Sequence, residues 1–183
     1  SMTNCTKMVN FQVYNNLLEG PIPTDIGRMN QLKYLYLHNN KLSMGLPESM
    51  GNLSQLQDFQ AYTNKLNGTL PQSFGGMYSL VTVFLHDNRL VGTLPSSITN
   101  CTKMVNFQIQ NNLLEGAMPE NIGQMINLRV VYVSFNKFTI LPESMGNLSQ
   151  LQDLRASSNS FNGTLPQSFG GMYSLVTVFL DNN

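Results

Sequence analysis

Leucine and other apolar residues recur along this chain at a fixed stride, and the polar residues between them fall into equally fixed slots. The stretch 53–76, LSQLQDFQAYTNKLNGTLPQSFGG, shows the pattern. Phe59 and Ala61 alternate with Gln60 and Tyr62, the period of a short strand with one buried face. Asn64 follows where the chain turns away from the strand, and its amide can bond backbone groups that a turn leaves open. Gly68 permits the next bend, and Pro71 fixes φ where the chain enters an outer segment. The same Asn recurs as Asn16, Asn40, Asn64, Asn88, Asn112, Asn136, Asn159 and Asn183, with gaps of 24 residues broken once by 23. One such unit cannot bury its own leucines, so neighbouring units must stack into a solenoid with a continuous core. With strands about 4.7–4.9 Å apart, eight units predict a parallel sheet about 35 Å long, and the stacked Asn side chains predict a buried ladder.

The repeating motif LxxLxLxxNxLxGxLPxxxGxx is that of a leucine-rich repeat. Its ending, in Gly20-Pro21-Ile22-Pro23 and Gly92-Thr93-Leu94-Pro95, resembles the plant-specific class of that family. That class includes plant receptor-kinase ectodomains, polygalacturonase inhibitors and surface antigens of kinetoplastid parasites. The resemblance covers residues 3–183 and implies an α/β solenoid, a leucine-rich repeat arc. A parallel concave sheet of about eight short strands would face an irregular or 3-10 convex side. For function it implies recognition of another molecule, usually outside the cell. Two units depart from the motif: the second carries Gly45 one place late, after Met44, and the sixth, NKFTILP, lacks both the Gly and one residue. A kink or tightening is expected there. Residues 1–183 read as a single solenoid without capping segments, taken from a longer array, and Ser1-Met2 as an expression scar.

Above the 24-residue stride lies a four-unit period that relates 3–88 to 99–183. Residues 3–20 match 99–116 with two differences, and 46–88 match 141–183 with eight, which points to a tandem duplication. Six of these ten differences fall in three slots: the two outward strand positions and the one before the Asn. They are Tyr14/Gln110, Gln60/Arg155, Tyr62/Ser157, Thr63/Ser158, His86/Asp181 and Asp87/Asn182. Those slots supply nine of the 61 paired positions, so change is concentrated on the concave face. Diversification of a binding surface accounts for this, and so does faster drift at exposed sites; the unchanged exposed outer segments favour the former.

One outward slot reads Gln12, Tyr36, Gln60, Phe84, Gln108, Tyr132, Arg155 and Phe179; two places on it reads Tyr14, His38, Tyr62, His86, Gln110, Ser134, Ser157 and Asp181. This stripe of aromatics and amides is a candidate patch for a protein, peptide or glycan. Its aromatics are densest around Tyr14, Tyr36, Tyr62 and Phe84, and the alternative is that they only stack and shield the sheet. His38 and His86 share a column about 10 Å apart, too far for one metal ion; isolated surface histidines are favoured over a pH-sensitive contact. Cys5 and Cys101 occupy an inward apolar slot four units apart, about 19 Å, and should be free, buried and inert. Six glycosylation sequons begin at Asn4, Asn52, Asn67, Asn100, Asn147 and Asn162 and favour an extracellular or cell-surface location.

Composition narrows the classes of function. Ten Lys and Arg against ten Asp and Glu leave no net charge, which argues against nucleic acid. Charged residues are only 11%, so uncharged polar groups, among them 23 Asn, supply the wetting. No apolar run is long enough for membrane insertion. No G-x-S-x-G, H-E-x-x-H or Gly-Lys phosphate motif is present, and Asp58 and Asp153 lie four units apart, too far for glycosidase pairing. No enzyme activity, metal or cofactor is expected. The leading reading is a non-catalytic recognition module that binds on its concave face. The alternatives are a structural or antigenic coat or spacer without a dedicated ligand, and, from the resemblance alone, an enzyme inhibitor.

Overall fold

The computed structural model describes residues 4–183; Ser1 and Met2, and Thr3 at the start of the first matched segment, lie outside the described residues. One strand from each unit joins an eight-stranded parallel sheet: β1 (Asn10–Gln12), β3 (Tyr34–Tyr36), β5 (Asp58–Gln60), β7 (Thr82–Phe84), β9 (Asn106–Gln108), β11 (Val130–Tyr132), β13 (Asp153–Arg155) and β14 (Thr177–Phe179). Residues at equal repeat positions are in register throughout, as in Gln12 with Tyr36, Tyr36 with Gln60 and Gln60 with Phe84. A second short strand follows in six units. β2 (Glu19–Pro21), β4 (Lys41–Met44) and β6 (Lys65–Leu66) form one small sheet; β8 (Val91–Gly92), β10 (Leu113–Ala117) and β12 (Lys137–Ile140) form another.

The return path is helical only as 3-10 turns, for example Glu48–Asn52, Gln72–Gly76, Ser96–Asn100 and Glu143–Asn147; no α-helix occurs among the described residues. Pro47, Pro71, Pro95 and Pro142 stand immediately before these four turns with φ between −65° and −76°, the angle the ring imposes. Buried apolar residues from Ile22 to Met172 form one continuous cluster between the sheet and these turns.

The recurrent Asn is the fastener. Asn40 Nδ2 donates to Leu37 O (3.1 Å) and His38 O (3.3 Å) in its own turn and to Val13 O (2.9 Å) in the preceding unit. Its Oδ1 accepts the Leu18 N–H (3.0 Å), also from the preceding unit. Asn64, Asn88, Asn112, Asn136 and Asn159 make the same four contacts. The ladder is buried at its centre, at Asn112 and Asn136, and exposed in the first unit, where Asn16 reaches only Val13 O and Tyr14 O of its own turn.

The residue before each ladder Asn adopts left-handed backbone, with φ from 52° to 58° at Asn15, Asn39, Thr63, Asp87, Asn111, Phe135, Ser158 and Asn182. Asn and Asp tolerate this region; Thr63 and Phe135 do not by their own preference and are held there by the turn. The first departing unit is accommodated in the same way. Met44 takes φ 67°, the conformation that Gly20, Gly92 and Gly116 take at that slot, and so displaces the glycine to position 45. In the sixth unit the pairing of β10 with β12 slips after Gly116–Phe138 to Ala117–Ile140, a bulge at Thr139 where a kink was expected.

On the convex side the coils approach too closely for side chains at Gly75 and Gly76. A Cβ on Gly75 would lie 2.1 Å from Ser97 O of the following coil, and one on Gly76 would lie 2.2 Å from Gly51 O of the preceding coil. The hydroxyl of Ser97 uses the closeness, accepting from the Gly75 N–H (3.2 Å) and donating to Gln72 O (2.7 Å). The Glu48 carboxylate accepts the Gln72 and Ser73 N–H groups (2.8 and 3.0 Å), which hold its pKa below the usual range, and Glu143 does the same for Gln167 and Ser168.

The expectation for the cysteines holds for one of them. Cys101 is buried against Phe74 O and Met77 O of the preceding coil, and burial pushes its thiol up to about 12. Cys5 is free as expected but exposed, contrary to expectation, because it lies in the first unit and no described coil precedes it.

Replacing Asn136 by Leu strands the buried Leu114 N–H and takes one of two donors from each of the Ile109, Val133 and Ser134 carbonyls, which keep Asn112, Asn159 and the Asn111 N–H. At about 1–3 kcal/mol for a buried group left unpaired, Asn136→Leu is expected to cost about 1–3 kcal/mol in urea unfolding. Asn16→Leu, at the exposed first rung, should cost under about 0.5 kcal/mol. Equal losses would remove the ladder from its central role.

Candidate functional site

Three columns of outward side chains run across the concave sheet. The first, from the opening residue of each strand, is Asn10, Tyr34, Asp58, Thr82, Asn106, Val130, Asp153 and Thr177. The second runs from Gln12 to Phe179 and the third from Tyr14 to Asp181, as strand alternation predicts. Parallel in-register pairing brings equal positions of adjacent units side by side, so the identity of each column is a consequence of the repeat alone.

In the third column the first four rings form a continuous stack. Tyr14, His38, Tyr62 and His86 follow one another at centroid separations of 4.6, 4.4 and 4.6 Å, with interplanar angles of 9° to 11°. Second-column rings lean against it: Tyr36 lies 6.5 Å from Tyr14, and Phe84 lies 6.5 Å from Tyr62. The histidines are therefore not isolated surface residues. His38, sandwiched between two tyrosines, is 8% exposed, while His86 Nδ1 lies 2.7 Å from an Asp87 carboxylate oxygen. Among the described residues two buried side-chain polar atoms lack a hydrogen-bond partner, His38 Nδ1 and Gln110 Oε1, and both belong to this column. Burial lowers the His38 pKa; the charge of Asp58 pulls the other way and is the weaker influence.

Sequence reasoning left the first column out, although alternation alone places it outward. Tyr36 Oη donates to Asp58 Oδ2 (2.8 Å), and Gln60 Nε2 donates to both oxygens of Asp58 (3.1 and 3.2 Å). Four units on, Tyr132 Oη donates to Asp153 Oδ2 (2.7 Å), and Arg155 grips the same carboxylate through Nε and Nη2. The Arg155 guanidinium lies 4.4 Å over the Tyr132 ring and 5.7 Å from that of Phe179. Gln108 closes on Asn106 (3.0 Å) in the same manner. Burial, followed by the Asp58 hydrogen bond, pushes the Tyr36 hydroxyl up to about 12, and Tyr132 is raised for the same reasons. Both tyrosines thus remain protonated donors at neutral pH.

The proposed ligand-binding residues divide into two groups. Tyr14, Tyr36, His38, Gln60, Tyr62, Phe84 and His86 are contiguous; Gln108, Tyr132, Arg155 and Phe179 continue the second column beyond them. The sequon residues Asn4, Asn52, Asn67, Asn100, Asn147 and Asn162 are all exposed and all lie outside the three columns; Asn52, Asn100 and Asn147 end convex 3-10 turns. Among the described residues no three His, Cys, Asp or Glu side chains gather as metal ligands would, and no helix is long and apolar enough to cross a membrane.

A family model for leucine-rich repeat regions matches residues 10–138, and a single leucine-rich repeat matches residues 150–172. No curated protein sequence matches the chain. Among solved structures, the Arabidopsis receptor kinase HAESA, in complex with the peptide hormone IDA and the co-receptor SERK1, superposes with a TM-score of 0.92 at 34% identity, over 100% of this chain and 30% of that one. The ectodomain of the Arabidopsis thaliana receptor kinase GASSHO1/SCHENGEN3, in complex with CASPARIAN STRIP INTEGRITY FACTOR 2, gives 0.92 at 29% identity, over 94% and 21%. An internalin of Listeria monocytogenes, at 20% identity and TM-score 0.76, shares the fold. The chain thus spans less than a third of either plant structure.

The stack carries a pH signature. A histidine whose folded pKa lies below its unfolded value binds its proton more readily when unfolded, so stability should fall as pH drops from about 6.5 toward the folded pKa. NMR titration of wild type should place His38 below 6.5, and His38→Phe should flatten the decline in melting temperature over that window. A His38 pKa above 6.5 would contradict the assignment of burial as the dominant influence.

Proposed function

The chain belongs to the leucine-rich repeat family, and we propose that it is a recognition module that binds an extended peptide or protein segment along its concave sheet, without chemistry of its own. The observation that carries this reading is the ring stack Tyr14–His38–Tyr62–His86 with Tyr36 and Phe84 against it. It offers a wide face of rigid aromatic area beside hydrogen-bonding Gln and Asp groups, the composition of binding hot spots. The two plant receptor structures, each captured with a ligand, support the class of function. A glycan remains compatible with the same aromatic face, and the coat or spacer is the competing role.

We further propose that residues 1–183 form one solenoid built by duplication of a four-unit block, and that it lies outside the cell, as part of a secreted or surface protein. The exposed sequons support this location, and glycans there would leave the concave columns clear. Mass analysis of protein from a secretory host should find sugar on Asn52, Asn67 and Asn100; bare asparagines would count against it.

The matched segments supply substitutions that this scaffold already accommodates. Tyr14→Gln, Tyr62→Ser and His86→Asp install the residues found at 110, 157 and 181. Together they should preserve the circular-dichroism spectrum and weaken partner capture at least about 30-fold, the effect of losing one hot-spot contact of roughly 2 kcal/mol. Unchanged capture would favour the spacer.

A further inference from the structure

We propose that Asp58, framed by Tyr36, Gln60 and Phe84, is a subsite for a guanidinium group, filled by an arginine side chain of the partner; this rests on the concave-face reading above. The argument comes from comparing the two matching stations of the sheet. At the second, Asp153 accepts the Tyr132 hydroxyl at 2.7 Å and holds a guanidinium, with Arg155 Nη2 at 2.9 Å and Nε at 3.2 Å. That guanidinium covers the Tyr132 ring and stands beside Phe179. At the first, Tyr36, Asp58 and Phe84 occupy the same registered positions as Tyr132, Asp153 and Phe179, and the Tyr36 hydroxyl makes the same bond at 2.8 Å. The one exchanged member is Gln60 for Arg155.

The exchange leaves a charge unanswered. Gln60 gives Asp58 a neutral amide donor, and among the described residues Asp58 has no ion pair, whereas Asp153 is paired with Arg155. Arg155 therefore displays, within the same chain, the group that this arrangement of carboxylate, hydroxyl and two rings accepts. A planar guanidinium can bond the carboxylate through two N–H groups and lie on a ring at once; an ammonium gains less because it is a compact, strongly hydrated charge. The same corner contains the unpartnered His38 Nδ1, whose ring lies 6.2 Å from that of Tyr36. The second station is closed by its own arginine, so the two halves of the sheet differ in what they can receive.

The probe is N-acetyl-arginine methylamide, titrated into isotope-labelled full chain while the backbone amides of residues 58, 60 and 84 are followed by NMR, and those of residues 153, 155 and 179 beside them. Wild type should show a saturable shift, weakened at least tenfold when citrulline replaces arginine in the probe. Gln60→Arg, which copies the second station and so keeps the fold, should abolish the response, as should Asp58→Asn. Arg155→Gln should create a second responding site at Asp153. No saturable shift in wild type, or one that survives Gln60→Arg, would overturn the proposal. An absent arginine response with partner capture still sensitive to the Tyr14, Tyr62 and His86 exchanges would overturn the subsite and keep the face. A saturable response with insensitive capture would keep the subsite and overturn the wider face.

Discussion

The rest of this structure depends on one amide per unit. Each interior ladder Asn bonds three carbonyls and one N–H, two of those four groups belonging to the preceding coil. The Leu18 N–H depends on the Asn40 side chain alone, and the Val13 and Leu37 carbonyls are each served by two successive ladder amides in a turn that would otherwise leave them unpaired, at a cost comparable to a lost hydrogen bond each. The side chain thus closes its own turn and ties it to the neighbouring coil in a single contact set. Because every unit repeats the arrangement, stability accumulates from nearest-neighbour stacking, and no segment needs a globular core of its own.

The turn that presents this Asn also explains the third variable slot. The residue before it sits at φ near 55°, so its side chain leaves the core and joins a rim beside the sheet. On that rim Asn39 Nδ2 donates to Asn15 Oδ1 and Asn111 Nδ2 to Asp87 Oδ1, both at 2.7 Å. The matched segments differ there and in the two neighbouring columns, whereas the Ser, Glu and Gly residues that fit coil to coil on the convex side are unchanged. That contrast has a steric reason: a Cβ on Gly75 or Gly76 would collide with the backbone of a neighbouring coil, while a column side chain points away from the core and meets only other side chains of the sheet face.

Strand spacing turns these columns into surfaces. Parallel strands about 4.8 Å apart bring rings at equal positions to stacking distance, and the observed separations of 4.4 to 4.6 Å follow from it. The same spacing sets Tyr36 beside Asp58 and Tyr132 beside Asp153, in adjacent strands and two residues apart along them, on one face. Stacking and recognition are not alternatives here, since a self-supporting ring stack is a rigid one and loses little freedom when a partner covers it.

Much of this molecule was legible in its sequence, because the stride, the alternation and the turn-forming Asn are local features that each unit repeats. They determine the coil, the parallel sheet and the membership of every column, Asp58 and Asp153 included. Burial and contact were decided only by stacking. Cys5 and Cys101 share one slot and part company because only Cys101 has a described preceding coil to pack against. His38 is buried between Tyr14 and Tyr62, although nothing in its own unit marks it as different from an exposed histidine. The left-handed turn at Thr63 and Phe135 runs against the local preference of both residues and is imposed by the ladder beside them. Sequence settles which way a side chain faces because backbone period is local; what it touches depends on residues some 24 positions away, which only the stacked chain brings together.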